Sequence, residues 1–125
     1  MKYLITLTIL VSIALPSMGQ LLVGNVDISK SDSVKIIEVL ITERMSNKYV
    51  DVFVDFGQKS NFRSGYLENN SDDQRFNDAT TKKPIRFKST TAVLNYLEIN
   101  NWEHYNSVVI ADRGERQFYY YFRKK

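Results

Sequence analysis

The segment Tyr49-Val-Asp-Val-Phe-Val-Asp-Phe56 alternates strictly, with Val50, Val52, Val54 and Phe56 on one side and Tyr49, Asp51, Phe53 and Asp55 on the other. Successive side chains of a strand point to opposite faces, so a period of two predicts a half-buried β-strand. Upstream, residues 34–43 are dense in β-branched side chains and hold neither Gly nor Pro, which predicts a second strand. The short polar link Arg44-Met-Ser-Asn-Lys48, with Asn47 able to take a left-handed backbone, makes the two an antiparallel hairpin that ends at Gly57.

The closing third repeats this plan without repeating the residues. Ser89 is a good N-cap for a helix running to about Asn100, in which Val93, Leu94 and Leu97 form an apolar stripe flanked by Tyr96. Asn100 and Asn101 supply the stop, because Asn tolerates the left-handed conformation that ends helices. Residues 107–111, a turn at 112–115 and residues 117–123 then read as a second hairpin. Between the first hairpin and the helix, residues 58–83 form a polar excursion that is either mobile throughout or, as the favoured reading, partly ordered by short irregular strands around Tyr66-Leu67 and Arg75-Phe76. The expected fold is α+β in two layers: one antiparallel sheet of four to five strands with one main helix on one face, in the order β-β-loop-α-β-β.

The N-terminus predicts export. Lys2 precedes an apolar run from Tyr3 to Leu15, followed by Pro16 and the small residues Ser17 and Gly19, the three-part pattern of a cleavable signal peptide with a cut near Gly19-Gln20. That run has 13 residues where a membrane-spanning helix needs roughly 20, so no permanent anchor is expected after cleavage. Residues 20–33 read as a lead-in and residues 34–125 as a single domain, placed in the periplasm or outside the cell. With no Cys, disulfide frameworks, thiolate nucleophiles, Cys-ligated metals and a lipidated cysteine are excluded.

Residues 87–103, Phe-Lys-Ser-Thr-Thr-Ala-Val-Leu-Asn-Tyr-Leu-Glu-Ile-Asn-Asn-Trp-Glu, followed by two strands and a basic terminus, carry a resemblance. The chain resembles a group of small exported bacterial proteins of unknown function and, more distantly, a widespread bacterial domain of unknown function with a helix, a Gly-Trp-Glu turn and a closing hairpin. The nearer likeness reaches back through Val52-Phe-Val-Asp-Phe-Gly-Gln58 and covers roughly residues 34–125. In those relatives a Gly usually precedes Trp-Glu, whereas here Asn101 stands there and preserves the left-handed turn chemistry. The resemblance implies this fold and export, and it implies no reaction.

No coherent catalytic set is present. The single histidine, His104, lacks any nucleophile setting, so a polymer hydrolase built from Glu103, His104 or the loop carboxylates would rest on location alone. Asp51 and Asp55 lie roughly 13 Å apart along a strand, too far to share a cation, and residues 68–78 lack the spacing of a calcium loop. Neither metal nor cofactor is expected. Trp102, just past the helix stop, is expected to close the core edge.

The C-terminal Phe118-Tyr-Tyr-Tyr-Phe-Arg-Lys-Lys125 stands out. Alternation places Phe118, Tyr120 and Phe122 toward the core and Tyr119, Tyr121 and Arg123 outward, so aromatic platforms and a cation share one face. These three residues are the binding candidates, and the terminal strand is expected at an exposed edge where it could pair with a second copy. Residues 20–79 carry a net charge of −3 and residues 80–125 one of +5, a sum too small to predict nucleic-acid binding. The expected function is therefore a non-enzymatic interaction module with an envelope or extracellular protein partner. The alternative is a binder of an anionic ligand, oligosaccharide or nucleic acid, through the same C-terminal strand.

Overall fold

A computed structural model describes residues 20–58, 74–112 and 115–125. In chain order the elements are β1 (Leu22–Val23), β2 (Val26–Asp27), β3 (Ile36–Glu43), β4 (Asp51–Asp55), β5 (Phe76–Asn77), α1 (Thr90–Ile99), β6 (Trp102–Asp112) and β7 (Glu115–Lys124). The class is α+β, with two antiparallel sheets and one helix.

The period-two segment pairs as its pattern requires. Val54 faces Val39 and Val52 faces Ile41 across β4 and β3, and the cross-strand branched pairs bury one side of the hairpin. On the other side of β3, β7 runs antiparallel for eight residues, from Ile36 opposite Arg123 to Glu43 opposite Arg116. The large sheet therefore has the order β4-β3-β7-β6. The C-terminal strand is central and not at an edge, which corrects the expectation; the chain's last strand fills the gap between β3 and β6, and β6 is left outermost.

A second correction concerns the count of sheets. In place of one sheet there are two, because β1, β2 and β5 form a three-stranded sheet of their own in the order β2-β1-β5. Each of these strands is two residues long, too short for any periodicity to show in the sequence. The lead-in is thus part of the packed structure: Leu21, Val23 and Ile28 lie in the same buried cluster as Ile37, Val39, Ile41, Val52, Val54 and Phe122 of the large sheet. Of the two strands expected within the polar excursion, Phe76 lies in β5 with a fully buried ring, while Tyr66-Leu67 lies outside the described residues.

The helix follows its caps. Ser89 is extended and its Oγ accepts the Ala92 N–H at 3.1 Å, while Asn101 takes φ 66° just past the end. Val93 and Leu97 are the fully buried members of its stripe, with Leu94 and Tyr96 packed partly against the cluster. Replacing Ser89 by Ala should remove one cap bond and cost about 1 kcal/mol; a denaturant midpoint shifted by less than a few tenths of that would show the cap to be idle. Among the described residues no helix is long and apolar enough to cross a membrane.

Candidate functional site

Two opposite faces of the large sheet meet different surroundings. The inner face, carrying Ile37, Val39, Ile41, Val52, Val54 and Phe122, belongs to the buried cluster shared with α1 and the small sheet. The outer face carries cross-strand rows whose residues are fixed by the register. One row runs Phe53, Leu40, Tyr119, Val108 from β4 to β6. Phe53 and Leu40 are 2% and 3% exposed, Tyr119 is half-buried and Val108 is 48% exposed, so an apolar row that begins buried ends open at the β6 edge.

The next two rows on this face bring the other sequence-predicted candidates beside Tyr119. Tyr121 lies opposite Glu38 on β3 and Asn106 on β6, and Arg123 lies opposite Ile36 and Glu103. Tyr119, Tyr121 and Arg123 thus share the outer face as the alternation predicts. A hydrogen bond to Glu38, reinforced by desolvation and by the Glu38 charge, pushes the Tyr121 hydroxyl up to about 12, so it remains a protonated donor.

Tyr105 joins this group through a feature the sequence reading missed. The register of β6 shifts between His104 and Asn106, so two residues of β6 oppose one of β7. The Tyr105 ring then stands 6.3 Å from that of Tyr121, and the Arg123 guanidinium lies 5.8 Å from the Tyr105 ring. The bulge also resets the alternation, turning Val108 and Ile110 to the outer face with Tyr119 and Gln117 as their partners.

The basic terminus is engaged within the molecule. Arg123 Nε donates to Glu103 Oε2 at 3.2 Å, Lys124 Nζ donates to the Ser31 carbonyl at 2.6 Å and lies over the Trp102 ring, and Lys125 pairs with Glu98. The other singled-out residues are structural in position: Trp102 is fully buried, and Ser89 and Asn101 cap the helix. Glu103 faces Arg123 on the outer side, whereas His104 packs its ring 5.5 Å from Tyr120 and 5.6 Å from Phe122 on the inner side. Glu103 and His104, both considered for hydrolysis, therefore lie on opposite faces of the sheet, and the loop carboxylates Glu68, Asp72 and Asp73 lie outside the described residues. Among the described residues no cluster of three His, Asp or Glu side chains could hold a metal ion.

What remains open is the edge itself. β6 is an 11-residue strand with β7 on one side and, among the described residues, no strand on the other. Val108, Val109 and Ile110 are 48%, 56% and 45% exposed, and Tyr105 beside them is also exposed. Edge strands are commonly protected by Pro or Lys; β6 holds neither, and past its bulge the sequence is Ser-Val-Val-Ile-Ala.

Compared with known protein families, with curated proteins and with solved structures, the chain matches none.

Proposed function

We propose that this protein is an exported, non-enzymatic interaction module that receives an extended segment of a partner polypeptide along the β6 edge. The observation that carries the reading is the apolar row Phe53, Leu40, Tyr119, Val108, which runs off the sheet at β6, the outermost of the described strands. An added strand would hydrogen-bond to the free ladder groups of β6 and continue that row with an apolar side chain of its own. In this reading α1 and the small sheet form one layer, the four-stranded sheet forms the other, and the β6 side of the outer face, beyond buried Phe53 and Leu40, is left to the partner. Tyr105, Tyr119 and Tyr121 would supply aromatic area at the rim, where rigid amphipathic rings give contact at small entropic cost. The export half of the proposal is supported by the three-part pattern of residues 1–19. Engagement of Arg123, Lys124 and Lys125 by Glu103, Ser31 and Glu98 favours a polypeptide over an anionic polymer on this face.

The test compares the unaltered protein with Val108→Lys and with a Tyr119, Tyr121, Arg123 triple alanine form. A charge placed at exposed Val108 should leave stability within about 0.5 kcal/mol of the starting value. Crosslinking capture from envelope and culture-fluid fractions is expected to yield a partner lost with Val108→Lys, and hydrogen exchange should show that partner slowing the amides of β6 alone. Capture indifferent to Val108→Lys would remove the edge from the proposal. Concentration-dependent self-association abolished by Val108→Lys would instead assign the edge to a second copy.

A further inference from the structure

Positive charge also collects at the end of β3 away from Arg123, in a cleft at the turn between β3 and β4. Its described lining comes from three separate stretches, residues 46–51, Arg75 and residues 83–86, and encloses a volume of about 620 Å³. Among the described residues four of the lining side chains are cationic, Lys48, Arg75, Lys83 and Arg86, against one carboxylate, that of Asp51. The arrangement is not an accident of loose loops. Val50 N–H donates to the Phe87 carbonyl at 2.9 Å, joining the two walls, and Ile85 N–H donates to the Phe76 carbonyl at 2.8 Å. Asp78 accepts the N–H groups of Thr80 and Thr81, bonds that hold its carboxyl below the usual range, and its backbone pairs with Lys83, which fixes the turn that delivers that lysine.

One ring organises the charges. Lys48 Nζ lies 5.7 Å and the Arg86 guanidinium 5.6 Å from the centre of the Tyr49 ring, so two cations are gathered at one aromatic platform. Arg75 stands with its guanidinium 5.0 Å from the Phe53 ring, and its buried Nε finds no hydrogen-bond partner among the described residues. A buried donor without an acceptor is costly, and an incoming oxyanion would relieve it. Concave walls concentrate the field of like charges, and two guanidinium forks match the oxygens of a tetrahedral oxyanion. The volume exceeds that of a single phosphate ion.

We propose that this cleft binds a small molecule bearing a phosphate group, held by Lys48, Lys83, Arg75 and Arg86 with the rest of the molecule against Tyr49. The site is separate from the β6 edge, and either can exist without the other.

The experiment is calorimetric titration of the whole protein with inorganic phosphate, pyrophosphate and ribose 5-phosphate, with amide chemical-shift mapping. Binding at roughly 1 mM or tighter is expected for pyrophosphate or ribose 5-phosphate, with shifts centred on residues 46–51, Arg75 and residues 83–86. The preferred probe separates a free polyanion from a phosphate ester with a ring to stack. Affinity should fall several-fold between about 50 and about 300 mM salt. Lys48→Gln with Arg86→Gln, both exposed side chains, should weaken binding at least tenfold with an unchanged melting temperature, and Lys83→Gln alone should weaken it less. Arg123→Gln, at the other side of the sheet order, should change nothing. Absence of binding by all three probes at low salt, or equal weakening by Arg123→Gln, would overturn the proposal.

Discussion

Trp102→Ala is expected to cost about 3–5 kcal/mol, a large share of the 5–15 kcal/mol by which a domain of this kind is usually stable. The indole is fully buried in the cluster that contains Val93 and Leu97 of the helix and Phe122 of β7. It cannot swing out, because its backbone is held from both sides. Asn101 before it sits at φ 66°, and the Lys125 N–H donates to the Asn101 carbonyl at 3.0 Å. Across the ladder its partner Lys124 places Nζ 5.7 Å from the ring and ties the same ammonium to Ser31. Neighbours fixed in this way collapse poorly into the space a lost side chain leaves, which puts the cost toward the upper end of the range for such truncations. Since Trp102 is the sole tryptophan, the measurement is urea unfolding followed by far-ultraviolet circular dichroism, with Trp102→Phe as the partly filled control. A loss below about 1 kcal/mol would mean that the helix-to-sheet corner is sealed by something other than the indole.

The helix and its corner were legible because the signals are local. Ser89 and Asn101 act on backbone groups within three residues, so residue type alone points to their roles. The β3–β4 hairpin was legible for a related reason, since alternating branched residues leave their period in the sequence; that Phe53 and Leu40 on the opposite face are buried as well left no such mark. Strands of two residues leave none. Leu21, Val23 and Phe76 are buried in a shared core, and that burial is met by contacts 53 residues apart, as when the Asn77 side-chain amide donates to the Gly24 carbonyl. The order of strands was similarly hidden. Both β6 and β7 are rich in apolar and aromatic residues, and nothing in their composition says which one sits beside β3.

The candidate face was legible in part for the same physical reason. Alternation along β7 does place Tyr119, Tyr121 and Arg123 together. The bulge that adds Tyr105 and reverses the facing of Val108 and Ile110 inserts one residue with no Gly or Pro to mark it. Pairing of Arg123 with Glu103 depends on the register across the hairpin, and the basic cleft depends on three stretches meeting in space. Charge counts along the chain saw a basic C-terminal half; only the folded arrangement separates cations that are internally matched from those gathered in the cleft.

Phe76→Ala is expected to cost about 3–5 kcal/mol as well, although it sits in a strand of two residues. Its ring meets Phe87 at 6.3 Å and Tyr96 at 5.5 Å, and those two meet each other at 5.3 Å, all edge to face. Such pairs add about 0.5–1.5 kcal/mol each beyond the area they bury. The three rings come from the small sheet, the segment before the helix and the helix itself, so Phe76 is the point at which the small sheet is joined to the rest. If that sheet were a flap lying on a finished core, removing Phe76 would cost little and would leave the unfolding of the large sheet unchanged. Joined as it is, the whole molecule should unfold at lower denaturant in one transition, seen at the same midpoint by Trp102 fluorescence and by circular dichroism. Two separated midpoints in the Phe76→Ala protein, with the Trp102 signal unmoved, would show that the small sheet folds apart. The size of the coupling can be read directly from a cycle of Phe76→Leu and Tyr96→Leu, whose combined cost should fall short of the sum of the single costs by about 0.5–1.5 kcal/mol.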